Sequence, residues 1–189
     1  MDLRLRHAEP VLGASLLLAL GLLARAKLVA GVGPELLWAC HVASALGGVG
    51  LLLRSRRLVA LAFLFHVAVG APAYALEVAA SRTTTWESAL LHLLTPAATW
   101  VVARHGLPRR TWLAAWGLYL ALLPLSFLTT PPGPNVNLAH GLWSPLFGAP
   151  GAAWVSWLVN GAAVGLALYL ASRALRRWLP AAAPTVTPT

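Results

Sequence analysis

The feature that most constrains this chain is a succession of long uncharged apolar runs, each bounded by short arginine-bearing segments. Read with that punctuation, the runs predict six helices: Pro10 to Ala30, Leu36 to Leu53, Leu58 to Ala80, Trp86 to Ala103, Thr111 to Leu128 and Ala152 to Leu170. Each approaches the roughly 20 residues that an α-helix needs to cross the hydrocarbon core of a bilayer. Together they consume most of the 189 residues and leave no room for a large soluble domain. Only 10% of the residues are charged, where a soluble domain carries about 25%. The expected architecture is therefore an all-α integral membrane protein, one six-helix domain over residues 1–178. A Pro- and Thr-rich tail, 179–189, is expected to be disordered.

The positions of the charges test that count, because a wrong number of spans would scramble their alternation. With the N-terminus inside, the inner segments hold Arg4, Arg6, Arg54, Arg56, Arg57, Arg104, Arg109, Arg110, Arg173, Arg176 and Arg177, while the outer ones hold only Arg25, Lys27 and Arg82. Positive charge collects on cytoplasmic loops, so both termini are expected in the cytoplasm of a multi-pass cell-membrane protein. The net charge of +9 is then a topology signal, and nucleic acid is not expected as a partner. A single cysteine excludes an intrachain disulfide. The first run is open to two readings. Ala24-Arg25-Ala26 resembles a signal-peptide cleavage site; alternatively Arg25 and Lys27 snorkel from the end of a retained helix.

The outer connection from Thr129 to Pro150 carries five prolines, with Asn135, Asn137, His140 and Trp143 among them, and no charge. Such a loop is expected to fold over the membrane surface as a lid. An interfacial re-entrant segment anchored by Trp143 is the alternative.

Polar groups inside a span cost free energy and usually face a bundle interior, so their depth is informative. Counting 1.5 Å per residue, Cys40 and His41 lie about one turn below the outer surface and His92 roughly 6 Å below Ser88. Glu77 approaches the same side near the end of the third run, and the long loop brings Asn135, Asn137 and His140 to it. His66 lies roughly 12 Å from the inner end of its run and is expected to be deeper than the others. Taken singly, Cys40 is a small buried residue, His92 an interhelical hydrogen bonder and Glu77 a snorkelling carboxylate. Their common level is what points to a site.

The chemistry such a level supports is nucleophilic. A thiol becomes a strong nucleophile when an imidazole takes its proton and a third group steadies the imidazolium. Cys40 as nucleophile and His92 as base are expected, with His41, Glu77, Asn137 or His140 in supporting or oxyanion roles. No nucleophile elbow, phosphate-binding glycine loop or His-Glu-x-x-His motif occurs. Bis-His haem would need a second imidazole at the depth of His66. Zinc has suitable ligand types in Cys40, His41, His92, His140 and Glu77, dispersed over four segments. A transporter would want paired broken helices, and Pro72 and Pro124 offer only kinks. No metal or cofactor is expected.

Trp38 to Leu46, Trp-Ala-Cys-His-Val-Ala-Ser-Ala-Leu, and Leu90 to Pro96, Leu-Leu-His-Leu-Leu-Thr-Pro, resemble the intramembrane superfamily of androgen-induced-type lipid hydrolases and cysteine-bearing transmembrane acyltransferases. A looser likeness runs through Leu107 to Trp112 and Pro134 to Gly148. The resemblance implies membrane lipids as substrates, with the nucleophile on Cys40 and the catalytic histidine on His92. The androgen-induced-type hydrolases use threonine, so Cys40 is closer to the acyltransferase branch and leaves hydrolysis and transfer both open.

Overall fold

The computed structural model describes residues 3–81, 84–133, 135–141 and 153–179, and among these there is helix and no strand. Helix α1 spans Leu3–Val29, α2 Ala39–Leu52, α3 Arg56–Phe65, α4 Ala71–Ser81, α5 Trp86–Ala103, α6 Thr111–Thr129 and α7 Ala153–Trp178. Gly33–Leu37 and Val136–Leu138 are short 3₁₀ turns. Between α3 and α4, His66–Gly70 is a π turn, so the two helices form one continuous rod. The tail 180–189, Arg82, Thr83, Trp143 and the remainder of the outer loop lie outside the described residues. Leu179, expected in the tail, instead packs with Ala60, Phe63, Ala103 and Leu107.

Among the described residues, four helical stretches are long and apolar enough to cross a membrane: Ala8–Val29, Arg56–Ala79, Thr111–Thr129 and Ala153–Trp178. Six were expected, and the two others fall short for different physical reasons. Helix α2 is apolar but has 14 residues, a length of about 21 Å against a hydrocarbon core of about 30 Å. Helix α5 has 18 residues, but Glu87, Ser88, His92, Thr95 and Thr99 dilute its apolar character. Of these, His92, Thr95 and Thr99 are buried inside the bundle.

Local chemistry sets the helix ends. Ser55 caps α3 by accepting from Leu58 N, and Thr85 caps α5 by accepting from Ser88 N at 3.3 Å. Helix α2 closes with paired bonds from Ser55 N to Gly50 O at 2.8 Å and Arg54 N to Leu51 O at 3.2 Å. That motif requires a left-handed residue, and Arg54 supplies it at φ 53° where glycine is usual. The resulting tight turn folds α3 antiparallel against α2.

Two apolar clusters then hold the bundle together. Leu16, Ala19, Leu23, Leu51, Val59, Leu91, Ala98 and Val102 join α1, α2, α3 and α5. Ala43, Leu64, Phe65, Tyr119, Leu122, Leu123 and Leu168 join α2 and α3 to α6 and α7. Glycine permits the closest approach: a Cβ on Gly48 would stand 2.6 Å from Leu17 side-chain atoms, and one on Gly13 2.8 Å from Gly48 O. Many leucines and tryptophans on the outside of the rods remain exposed, among them Leu93, Leu128, Trp154 and Leu158, as lipid-facing surfaces require.

Candidate functional site

Three buried imidazoles meet where α2, the α3–α4 rod and α5 pack together. The His66 and His92 rings are 5.4 Å apart, and those of His41 and His92 6.4 Å apart. Tyr74 stacks on His92 with ring centroids 3.7 Å apart and planes 11° from parallel. The expectation that His66 lies apart from the others is therefore corrected. Counted from the arginine-bearing ends of their helices, His66 is ten residues from Arg56 and His92 eleven from Ala103, which is about 15 and 16 Å. The site is also deeper than the first turn: His92 lies six residues, or about 9 Å, below Trp86.

The π turn orients His66. Its carbonyl accepts from Ala71 N, five residues on, so one extra residue is inserted into the helix. Pro72 follows immediately, and the clash of a proline ring with the carbonyl four residues back favours a widened turn.

Each imidazole donates one ring N–H to a main-chain carbonyl. His41 Nδ1 donates to Glu35 O at 3.0 Å, His66 Nε2 to His92 O at 3.3 Å and His92 Nδ1 to Ser88 O at 2.7 Å. A carbonyl can only accept, so these contacts select the tautomer and leave a lone pair on the other ring nitrogen. His66 Nδ1 and His92 Nε2 are both buried and without a hydrogen-bond partner.

Cys40 is the second residue of α2. Its carbonyl accepts from Ser44 Oγ at 2.8 Å, and Ser44 Oγ pairs with Thr95 Oγ1 of α5 at 2.7 Å. On its other side is Gly70, the last residue of the π turn. A Cβ there would stand 3.0 Å from both Cα and Cβ of Cys40 and 3.3 Å from His66 Nδ1. Cys40 and the free nitrogen of His66 thus flank one bare α-carbon. His92 Nδ1 is held by Ser88 O, and neither His92 Nε2 nor His66 Nδ1 has a hydrogen-bond partner, so the thiol is hydrogen-bonded to neither ring.

The other expected residues have different surroundings. Asn137 has no donor left for an oxyanion: Nδ2 donates to Leu37 O at 2.8 Å and Ser126 Oγ at 3.0 Å, and Oδ1 accepts from Ala39 N at 2.9 Å. Its amide caps the start of α2 and ties the 129–150 connection to α6. Tyr119 OH adds a bond to Asn137 O at 3.0 Å. His140 lies at the end of α6, against Phe127 and 3.3 Å from Thr130 Oγ1. Glu77 lies on the exposed side of α4, and Asn135 holds the loop by donating to Gly141 O at 3.0 Å. The described part of the supposed lid is packed inward, with Val136, Asn137 and Ala139 buried. Positive φ at Asn135, Asn137 and Leu138 bends the chain back over α2.

Among the described residues no group of three His, Cys, Asp or Glu side chains could hold a metal ion, so the dispersed zinc set does not assemble. The residues that sequence reasoning missed are His66 and Tyr74. Pro72 was the available signal, since it marks the irregular turn beside them. No protein-family model, curated protein or solved structure matches this chain.

Proposed function

We propose that this protein is an intramembrane acyl hydrolase or acyltransferase that acts on membrane lipids through Cys40. The observation that carries the reading is the packing of Cys40, at a helix start, beside buried imidazoles whose free nitrogens have no hydrogen-bond partner. An imidazole of the cluster takes the thiol proton, and the resemblance assigns that role to His92. The thiolate attacks the carbonyl carbon of a lipid ester or amide, and the tetrahedral oxyanion is met by the Cys40 N–H, since Ala39 N is held by Asn137 Oδ1 and His41 N by Trp38 O. Collapse of that intermediate leaves an acyl thioester on Cys40, and the leaving alcohol or amine takes the proton from the imidazolium. Water or a second lipid alcohol then gives its proton to the imidazole, attacks the thioester and releases the acyl group, restoring the thiol.

Lipid as substrate is supported by the apolar exterior and by a groove of about 380 Å³ between α1 and α5. Arg25, Trp86 and Glu87 line that groove, a combination suited to a headgroup at the membrane interface. In the proposed orientation this face is external and both termini are cytoplasmic.

The test is a burst assay on detergent-solubilised protein with a p-nitrophenyl acyl ester, followed by mass spectrometry of the acylated peptide. Wild type should release about one equivalent of nitrophenol and carry the acyl group on Cys40; Cys40→Ala should show neither. Full turnover by Cys40→Ala, or no acylation of wild type by any of a panel of chain lengths, overturns the reading. The Ser44–Thr95 bond favours a second one, in which this polar layer is interhelical glue in a non-catalytic scaffold. An inert Cys40 in a stably folded protein would support it.

A further inference from the structure

We infer that His66 is the base that takes the Cys40 proton, and that His92 is a positioning residue behind it. The inference rests on the reading of Cys40 as a nucleophile, and it reassigns the proton acceptor. His66 is fully buried, and its Nδ1 is unpartnered and directed to the same bare Gly70 α-carbon that Cys40 packs against. Its other nitrogen is committed to the His92 carbonyl, so the ring is held as the tautomer whose lone pair is on Nδ1.

The arrangement has the three parts an activated nucleophile needs. Cys40 supplies the thiol, His66 Nδ1 the base, and the main-chain oxygen of His92 the group that orients the base and steadies the imidazolium after proton transfer. The His92 ring is occupied differently. It is clamped between Ser88 O and the face of Tyr74, which holds its backbone in place beneath His66. Glycine at position 70 keeps the gap open: a Cβ there would stand against Cys40 Cα and Cβ on one side and His66 Nδ1 on the other. The π turn has a purpose in the same scheme, because the inserted residue brings His66 and Gly70 to Cys40.

In chemical terms, the S–H bond of Cys40 breaks and an N–H bond forms at His66 Nδ1, giving a thiolate and an imidazolium. The imidazolium later passes that proton to the leaving alcohol or amine as the C–O or C–N bond breaks. In the second half-reaction the incoming water or alcohol gives its proton to Nδ1 as its oxygen bonds the thioester carbon; the C–S bond then breaks and the imidazolium returns that proton to the Cys40 thiolate, which leaves His66 neutral and Cys40 a thiol.

The proposal is tested without an acyl substrate. The rate of Cys40 alkylation by N-ethylmaleimide is measured against pH in detergent for wild type, His66→Gln and His92→Gln. Glutamine keeps a donor to the His92 carbonyl and removes the basic nitrogen. His66→Gln should alkylate about tenfold more slowly near neutral pH, with the rate rising only as an unassisted thiol ionises. His92→Gln should keep the wild-type form of the profile with a displaced midpoint. The titratable groups around the pair are His92 on α5, against His66, then His41 on α2 and Tyr74 on α4, both against His92, and Lys27, itself paired with Glu35. None of them is altered in His66→Gln. An unchanged profile in His66→Gln, or loss of the neutral limb only in His92→Gln, overturns the inference.

Should His66→Gln fail to fold, ¹⁵N-histidine spectra of wild type and Cys40→Ser decide the matter. The Nδ1 resonance of His66 should move; movement confined to His92 overturns the assignment. His66-dependent alkylation without acyl turnover would leave this inference standing and remove the acyl reading. Turnover with His66-independent alkylation would do the reverse.

Discussion

Gly70→Ala isolates the contact on which the site depends. The added methyl would sit 3.0 Å from Cys40 Cα and Cβ and 3.3 Å from His66 Nδ1, and the first of these neighbours is main chain that cannot rotate away. Overpacking of that kind costs roughly 1–3 kcal/mol. Alanine regains about 1 kcal/mol of helix preference, which would blur the result. Gly117→Ala removes that ambiguity. Gly117 also lies inside a helix, α6, but nothing stands within 4 Å of where its Cβ would be. The propensity gain cancels between the two variants, so Gly70→Ala should be less stable than Gly117→Ala by about the overpacking cost alone, roughly 1–3 kcal/mol. Thermal unfolding in one detergent should read this as a separation of roughly 2–4 °C per kcal/mol. Cys40 alkylation should slow in Gly70→Ala and not in Gly117→Ala. Equal stability of the two variants, with equal alkylation, would refute the close approach of Cys40 to the π turn.

Asn137→Ala should destabilise by about 1–3 kcal/mol or more, because Ala39 N, Leu37 O and Ser126 Oγ lose their partner together; denaturant titration of the purified variant checks it. A double-mutant cycle of Ser44→Ala and Thr95→Ala should return a coupling near 0.6 kcal/mol, the usual worth of an interhelical bond in a membrane. Arg54→Gly should stabilise by about 1–2 kcal/mol by relieving the left-handed strain at φ 53°, visible as a higher unfolding midpoint. Reporter fusions at both termini should be cytoplasmic and one near Gly133 external; the opposite pattern would invert the proposed orientation.

Helical class and membrane character were legible in the chain because both depend on composition over long windows. Apolar runs must hide their main-chain polar groups in helices, and arginine marks where they end. The rings of His41 and His92, expected at one level from the rise per residue, meet 6.4 Å apart.

What a rise count could not supply was relative depth across antiparallel helices, or the direction in which a side chain points. His66 therefore looked isolated, although its ring packs 5.4 Å from that of His92. Asn137 looked like a catalytic donor, although all its amide groups are consumed in joining residues about a hundred positions apart. The short α2, the inserted residue at His66–Gly70 and the bare α-carbon of Gly70 matter only once the helices are packed. Periodicity reports which residues are apolar, whereas the meeting of a thiol and an imidazole depends on helix offsets of a few ångströms, and tertiary contacts alone set those.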